Sequence, residues 1–84
     1  MDINYYVFEG KQYCNVYVDK STSNGILRFS HEIDIIFVKI NDEWKFNGAW
    51  HIGVSDIEWN ADEEESFEQT FPGLLSEIKK EIRR

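Results

Sequence analysis

Residues 44–54, with the sequence WKFNGAWHIGV, carry the clearest periodic pattern in this chain. Large apolar residues and one glycine occupy the even positions: Trp44, Phe46, Gly48, Trp50, Ile52 and Val54. Polar or small residues occupy the odd positions. Because successive side chains of a strand point to opposite faces, this period of two predicts a β-strand with one face buried. The pattern places Trp44 and Trp50 together on the buried face and His51 on the polar face.

The chain begins with two predicted strands that are joined by a tight turn at Gly10-Lys11. Glycine at the first of two central positions predicts a type II′ hairpin. The second strand, residues 12–19, has two chemically different faces. One face is small and apolar and is predicted to be core: Cys14, Val16 and Val18. The other is predicted to be a wet aromatic face or a contact surface: Tyr13, Asn15 and Tyr17.

A long run of β-branched and aromatic residues, 26–40, completes the antiparallel meander. Its apolar side chains change from odd to even positions near residues 35–37. Two explanations remain open: burial of both faces, or a bulge that shifts the register. A break around Ser30-His31-Glu32, giving two shorter strands, is a further alternative. A turn at residues 41–43 then returns the chain into the strand of residues 44–54.

From Phe67 onward the hydrophobic period becomes helical. One apolar stripe recurs at helical spacing: Phe67, Phe71, Leu74, Leu75, Ile78 and Ile82. Asp62 and Ser66 both match the N-cap pattern, since each has Glu or Gln three residues later. Pro72 interrupts the stripe, so the helix either kinks or restarts there. We expect a short helical turn followed by a main helix over about residues 72–83.

These patterns predict an α+β fold in a single domain of residues 1–84. An antiparallel meander sheet of four or five strands, with one C-terminal amphipathic helix packed on one face, buries both apolar patterns. Residues 55–60 either extend the sheet or form a loop pinned by Trp59. A chain of 84 residues has little room to enclose a ligand cavity of ~300–1,000 Å³. The length therefore argues against a small-molecule enzyme, unless its site lies between subunits.

Cysteine usage and hydropathy bear on the compartment. Cys14 is the only cysteine, whereas small secreted domains usually carry several in disulfides. The N-terminus has no basic region followed by an apolar run, and no segment approaches ~18 consecutive apolar residues. A signal peptide and a membrane span are therefore not expected, and a cytoplasmic location is predicted by default.

Charge is distributed unevenly along the chain, whose formal net charge is −7. Residues 1–45 carry −2, residues 46–78 contain eight acids and no Lys or Arg, and residues 79–84 carry +3. An acidic surface repels nucleic acid and anionic lipid and attracts basic groups. The pattern therefore predicts a basic partner protein and no direct contact with nucleic acid or membrane.

The acidic run of residues 56–68 is the strongest single feature, and it has three interpretations. The first is structural: acids precede the helix and basic residues end it, which complements the helix dipole. The second is calcium binding, but the run lacks the spaced oxygens and central glycine of an EF-hand loop. The third is an anionic patch with aromatic neighbours that docks on a basic protein surface, since aromatic anchors within a charged rim are typical of tight interfaces.

Candidate catalytic and metal-binding residues are few. His31 and His51 are the only histidines, and no motif has the ligand spacing of a zinc site. Both histidines are predicted to be half-exposed sheet residues, and Cys14 is predicted to be a buried structural thiol. No nucleophile elbow or phosphate-binding loop is present. A small enzyme with a site between subunits would require His31, His51 or Cys14 to converge with carboxylates in a cleft.

We therefore expect a small acidic binding protein that is not an enzyme and needs no cofactor or metal. The predicted partner is a basic protein, such as a nucleic-acid enzyme, inhibited in the manner of toxin-immunity or phage anti-defence proteins. The predicted contact residues are Asp56, Glu58, Trp59, Asp62, Glu63, Glu64, Glu65 and Glu68. The alternative is a structural or assembly module that forms a homodimer or larger oligomer through a sheet edge or the aromatic face.

Overall fold

The computed structural model describes residues 1–23, 25, 28–52 and 57–82. Five strands form one antiparallel sheet in meander order: β1 (Asp2–Phe8), β2 (Lys11–Ser23), β3 (Arg28–Ile40), β4 (Glu43–Ile52) and β5 (Ile57–Trp59). A 3-10 turn (Ala61–Glu63) leads into helix α1 (Glu64–Thr70), and helix α2 (Leu74–Glu81) follows. The predicted α+β fold, a meander sheet with a C-terminal helical segment on one face, is confirmed.

Both described hairpin turns place two residues in the left-handed region. Phe8 pairs with Lys11, so Glu9 and Gly10 are the turn residues, with φ of 50° and 78°. Positive φ at both positions is typical of a type I′ turn, whose twist matches that of the flanking strands. The predicted type II′ turn at Gly10-Lys11 is therefore wrong by one residue. The turn at Asn41 and Asp42 has the same character, with φ of 52° and 64°.

The change of parity near residues 35–37 reflects apolar side chains on both faces of β3, because Ile33, Ile35 and Phe37 are all fully buried on the core side and β3 stays in unbroken register with β2. A bulge does shift the register, but it lies on β4. Ile36 pairs with Gly48 and Phe37 pairs with Phe46, so Asn47 has no partner on β3. Strand β3 itself runs without a break from Arg28 to Ile40, so the alternative of two shorter strands is wrong. An extra residue on one strand of a pair reverses the facing of every side chain beyond it.

This bulge decides which side chains of β4 are buried. Before it, Trp44 packs against the core, and after it His51 occupies the buried face. Trp50 is 46% exposed and His51 is 8% exposed. The predictions that Trp50 shares the buried face with Trp44, and that His51 is half-exposed on the polar face, are therefore wrong. The extra residue at Asn47 is the physical reason.

The helical segment restarts at the proline. Helix α1 ends at Thr70, where the N–H of Phe71 donates to the carbonyl of Phe67 at 2.9 Å. Gly73 then adopts a left-handed φ of 81°, and α2 begins at the next residue. The first piece is a seven-residue helix rather than the single turn that the sequence predicts.

The helical segment begins earlier than predicted. Asn60 precedes the 3-10 turn and acts as the N-cap: its backbone N–H donates to Oε1 of Glu63 at 2.8 Å. The predicted N-caps, Asp62 and Ser66, lie inside the segment. A reciprocal capping pair at this earlier position satisfies a backbone donor that would otherwise have no partner in the segment.

The core lies between the helices and one face of the sheet. The helical stripe is confirmed, with five members buried and Phe71 half-buried. From the sheet, the core takes Cys14, Val16, Val18, Ile33, Ile35, Phe37, Phe46, Ala49 and Trp59. Within the described ranges, no helix is long and apolar enough to cross a membrane.

Candidate functional site

The predicted acidic run is divided between two sides of the molecule. Asp56 lies outside the described residues. Glu58 lies on the sheet face opposite the helices, because it pairs with Trp50 across the sheet. The other members lie in the helical segment: Asp62, Glu63, Glu64, Glu65 and Glu68.

Two carboxylates of this run bind backbone groups of the helical segment. Oε1 of Glu63 accepts a hydrogen bond from the N–H of Asn60 at 2.8 Å, and Oε2 of Glu68 accepts one from the N–H of Gly73 at 2.6 Å. Charge-assisted bonds to helix-terminal N–H groups stabilise the start of a helix. Glu63 therefore stabilises the start of the helical segment, and Glu68 stabilises the break between α1 and α2.

The remaining helical acids are exposed. Glu64 pairs with Lys79 at 3.7 Å, which links the first turn of α1 to α2. Asp62 and Glu65 project from the surface. An exposed ion pair contributes about 0–1 kcal/mol, so this group of acids does little for stability beyond the two backbone bonds.

Trp59 belongs to the core. It is 6% exposed, and its ring meets that of Phe67 edge-on, with centroids 5.1 Å apart and an interplanar angle of 89°. The expectation that Trp59 contacts a partner needs correction, because its side chain faces the helices rather than solvent. The edge-to-face arrangement is the favourable one for two aromatic rings.

Neither of the described helices packs on the sheet face opposite the core, and we call it the open face. The alternation of the strands and their register assign its central members: Tyr13, Asn15, Tyr17, Asp34, Ile36 and Trp50. Of these, Trp50 is exposed and the other five are half-buried. The prediction that Tyr13, Asn15 and Tyr17 share a face away from the core is confirmed.

One register row crosses the open face with one residue from each strand: Asp2, Tyr17, Asp34, Trp50 and Glu58. We call it the acidic–aromatic row, because three carboxylates alternate with two aromatic rings. Neighbouring strands lie ~4.7–4.9 Å apart, so the row is roughly 20 Å long. A cavity of about 410 Å³ lies beside its Trp50 end, lined by Asn15, Asp34, Asn47, Trp50 and Glu58 among others.

A second pair of acids adds negative charge to the open face beside the acidic–aromatic row. Asp19 pairs with Glu32 in register, next to the row. The hydroxyl of Tyr17 donates a hydrogen bond to Glu32, and this bond, together with burial and the negative charges of Glu32, Asp19 and Asp34, raises the pKa of Tyr17 to about 12. Two lysines of the same face, Lys11 and Lys45, lie towards its opposite end. The acidic–aromatic row therefore lies in a region of negative potential.

A second polar feature lies on the helix side of the sheet, where the two histidines meet. Nδ1 of His31 lies 2.8 Å from Nε2 of His51, so one imidazole donates to the other. Both rings contact Phe71, with centroids 6.1 Å and 5.8 Å from its ring. A polar side chain buried on an apolar face needs a hydrogen-bond partner, and each histidine provides one for the other.

The histidine pair forms part of the wall of a cleft between the sheet and the end of α1. The cleft has a volume of about 380 Å³, and its lining residues are His31, His51, Ile57, Trp59, Thr70, Phe71 and Pro72. The walls are mainly apolar, and the polar side-chain groups among these residues are the two imidazoles, the hydroxyl of Thr70 and the indole N–H of Trp59. We call this the histidine cleft.

Cys14 is separate from both features. Its side chain is fully buried, as predicted, and burial raises the pKa of its thiol to about 11. It pairs with Phe37, whereas His31 lies six positions back along β3, about 20 Å away at ~3.3 Å per residue. Across the part of the chain that the structure describes, no three His, Cys, Asp or Glu side chains come together in a way that could hold a metal ion.

Sequence reasoning missed the acidic–aromatic row and the histidine pair for related reasons. Asp34 lies directly opposite Tyr17 in the pairing of β2 with β3. Counting residues outward from the turn between these two strands would have predicted this pair. His31 and His51 share a face only because of the bulge. No local pattern in residues 44–54 reveals the bulge, since Gly48 and Ala49 are small enough for either face.

Comparison with known proteins finds no matching family model, no matching curated protein and no matching solved structure.

Proposed function

We propose that this chain is a small acidic binding protein that docks its open face on a basic surface of a partner protein. The observation that carries the proposal is the acidic–aromatic row, in which Trp50 and Tyr17 lie between carboxylates on the open face. Of the contact residues predicted from the sequence, Glu58 belongs to this row. The proposed contact surface is therefore centred on β2–β5 rather than on residues 62–68.

The chemistry of the row suits a protein partner with Arg and Lys side chains. Carboxylates pair with guanidinium and ammonium groups, and exposed aromatic rings stack on guanidinium planes. Trp50 is 46% exposed and provides the large aromatic side chain that interface centres commonly contain. Because like charges repel, the same surface disfavours nucleic acid, which makes the basic groove of a nucleic-acid enzyme a fitting target.

Electrostatic steering gives the proposal a measurable consequence. Attraction between an acidic face and a basic partner speeds association and weakens as salt screens it, with a Debye length of ~8 Å at physiological ionic strength. We expect the captured partner to be basic and to dissociate when salt is raised several-fold.

The test is capture of partners from a lysate of the source cells on the immobilised chain, with two matched charge reversals. Asp34→Lys with Glu58→Lys changes the open face, and Asp62→Lys with Glu65→Lys makes the same change of charge on the helical surface. We expect the first variant to lose a salt-sensitive basic protein and the second to retain it. Loss with the second pair alone, or no salt-sensitive partner with the native chain, would overturn the proposal.

A single aromatic substitution tests the same surface without changing charge. Trp50→Ala removes an exposed ring, so the fold should persist while affinity for the captured partner falls by at least about 2 kcal/mol, as truncation of an interface hot spot does. Phe8→Ala, at the far end of the open face and 58% exposed, is the control. Equal losses for both variants would mean that Trp50 is not at the centre of the interface.

A second candidate function, assembly of copies of this chain, is supported by strand β1. Among the described strands β1 lies at the edge and pairs with β2 alone, and Val7 and Phe8 are 70% and 58% exposed. An apolar edge strand with a single charged residue is a template for pairing with another strand. Sedimentation over a concentration series tests this: a dimer that Val7→Lys dissociates supports assembly, and a monomer at every concentration removes it.

A further inference from the structure

We infer that the histidine cleft is a binding site for a small, uncharged, planar aromatic compound that carries a hydroxyl group, a phenol in the simplest case. The juxtaposition that carries this inference is a hydrogen-bonded pair of imidazoles beside a mainly apolar cleft of about 380 Å³. That volume lies at the lower end of the range for small-molecule sites, ~300–1,000 Å³. It therefore suits a ligand of one or two rings.

The walls of the cleft favour a flat ring. Phe71 and Trp59 line it, with ring centroids 6.1 Å apart at an angle of 71°, and Ile57 and Pro72 add aliphatic surface. Ile57 is 43% exposed, so it offers apolar area that a ligand can bury. Rings gain edge-to-face and offset contacts with such walls in addition to the burial of their area.

The histidine pair favours a hydroxyl as the polar group of the ligand. If His31 donates to His51, then Nδ1 of a neutral His51 carries a proton and is a donor; if His51 donates, its Nδ1 is an acceptor. Within the described part of the chain, Nδ1 of His51 has no hydrogen-bond partner. A hydroxyl can pair with this nitrogen in either tautomer, whereas a carboxylate only accepts and an ammonium only donates.

The described lining of the cleft disfavours an ionised ligand group. Apart from the two histidines, no acidic or basic side chain is found among the described residues that line it. A charge that moves from water into an apolar site needs a partner of opposite sign. A metal ion fits poorly too, because two imidazoles are fewer than the three protein ligands of catalytic zinc sites.

This site is independent of the proposed function. The histidine cleft lies on the helix side of the sheet and the acidic–aromatic row lies on the open face, so a ligand in one does not cover the other. Failure of one proposal leaves the other standing, and the two experiments have different readouts.

The test is a titration of the chain with p-cresol, followed by NMR of the imidazole Cε1–H groups and the tryptophan indole N–H groups. We expect saturable shifts at both histidines and at Trp59, with affinity of about millimolar, as is usual for so small a ligand. Toluene keeps the ring without the hydroxyl and should bind about tenfold more weakly, the effect of one lost hydrogen bond. 4-Methylcyclohexanol keeps the hydroxyl without the flat ring and should also bind more weakly.

A pair of variants separates the cleft from non-specific binding. Thr70 lines the cleft and is exposed, so Thr70→Trp should fill the cleft mouth, preserve the fold by circular dichroism, and abolish the p-cresol shifts. Gln69→Trp adds the same ring at the neighbouring exposed position and should leave the shifts unchanged. Equal affinities for toluene and p-cresol, the absence of saturation, or binding that survives Thr70→Trp would each overturn the inference.

Discussion

Tyr17 and Cys14 lie three residues apart on β2, and both have raised pKa values for different physical reasons. Cys14 points into the core, where burial disfavours its thiolate. Tyr17 lies on the open face, where the hydrogen bond to Glu32 is the main cause. The two faces of β2 therefore lie in different environments: one contacts the apolar core, and the other lies among carboxylates.

Replacement of Glu32 tests the cause at Tyr17. Glu32→Gln removes the charged acceptor, so the pKa of Tyr17 should fall from about 12 towards its usual value of 10.0. Asp62→Asn, which removes one charge far from Tyr17, should leave it unchanged. The measurement is a titration of the tyrosine ring signals by NMR. An unchanged Tyr17 in the Glu32 variant would contradict both the bond and the negative potential inferred for the row.

Cys14 should make stability fall at high pH. The thiol has its ordinary pKa of 9.0 in the unfolded chain and about 11 in the folded one, so the unfolded state releases its proton first as pH rises. The free energy of unfolding should therefore decrease between these two values by roughly 2–3 kcal/mol in total. Below pH 9 this stabilisation is fully present.

Denaturant unfolding at several pH values measures this dependence. Cys14→Ala should show a smaller decrease over the same pH range, while the contribution of Tyr17 remains in both proteins. Equal slopes for the two proteins would show that the thiol does not titrate differently on folding. Alkylation of Cys14 in the native state at pH 8 should also be slow, because its side chain is fully buried.

At the scale of elements, the α1–α2 break is held by a side chain of the first helix. Gly73 begins the turn into α2 with φ of 81°, and its N–H donates to Glu68 at 2.6 Å. Neither α1 nor α2 exceeds eight residues, a length at which an isolated helix is unstable in water. Their stability therefore depends on packing and on bonds of this kind.

Loss of that bond should be measurable. Glu68→Ala should lower the free energy of unfolding by about 1–2 kcal/mol, the effect of removing a helix cap. Glu65→Ala, an exposed acid in the same helix, should change it by less than about 0.5 kcal/mol. Thermal unfolding of the two variants beside the native chain measures the difference. Similar effects would mean that the acidic run acts through the helix dipole as a whole, not through individual bonds.

The elements show which parts of this fold can be predicted from sequence. The helical stripe from Phe67 to Ile82 and the core face of β2 follow from their periods, because each repeats one residue type at one spacing. The bulge at Asn47 does not, since the pairing of β4 with β3 determines it. The structural roles of Glu63 and Glu68 do not follow from the sequence either, because the hydrogen bonds that their carboxylates accept from backbone N–H groups depend on where the helices start and break.

At the scale of the whole molecule, one helical segment covers one face of a five-stranded sheet. The described helices, α1 and α2, cover only that side, and the other side must be compatible with water or with a partner. The open face meets this requirement because its carboxylates, which water solvates well, lie beside its aromatic rings. Antiparallel sheets commonly have one solvated face, and the aromatic rings among the carboxylates of the open face are the basis of the partner contact that we propose.

Because of the bulge, the number of residues in β4 determines which side chains face the core, whereas the identity of the extra residue, Asn47, matters little. Asn47 is exposed and has no partner on β3, so Asn47→Ser should leave the fold and both candidate surfaces intact. Deleting Asn47 would restore strict alternation, turn Trp50 inward and place His51 on the open face. Tryptophan fluorescence and the NMR signals of the histidines would distinguish the two variants. A single-residue deletion in this strand would thus act as an inversion, removing the Trp50 ring from the open face and separating the imidazole pair in one step.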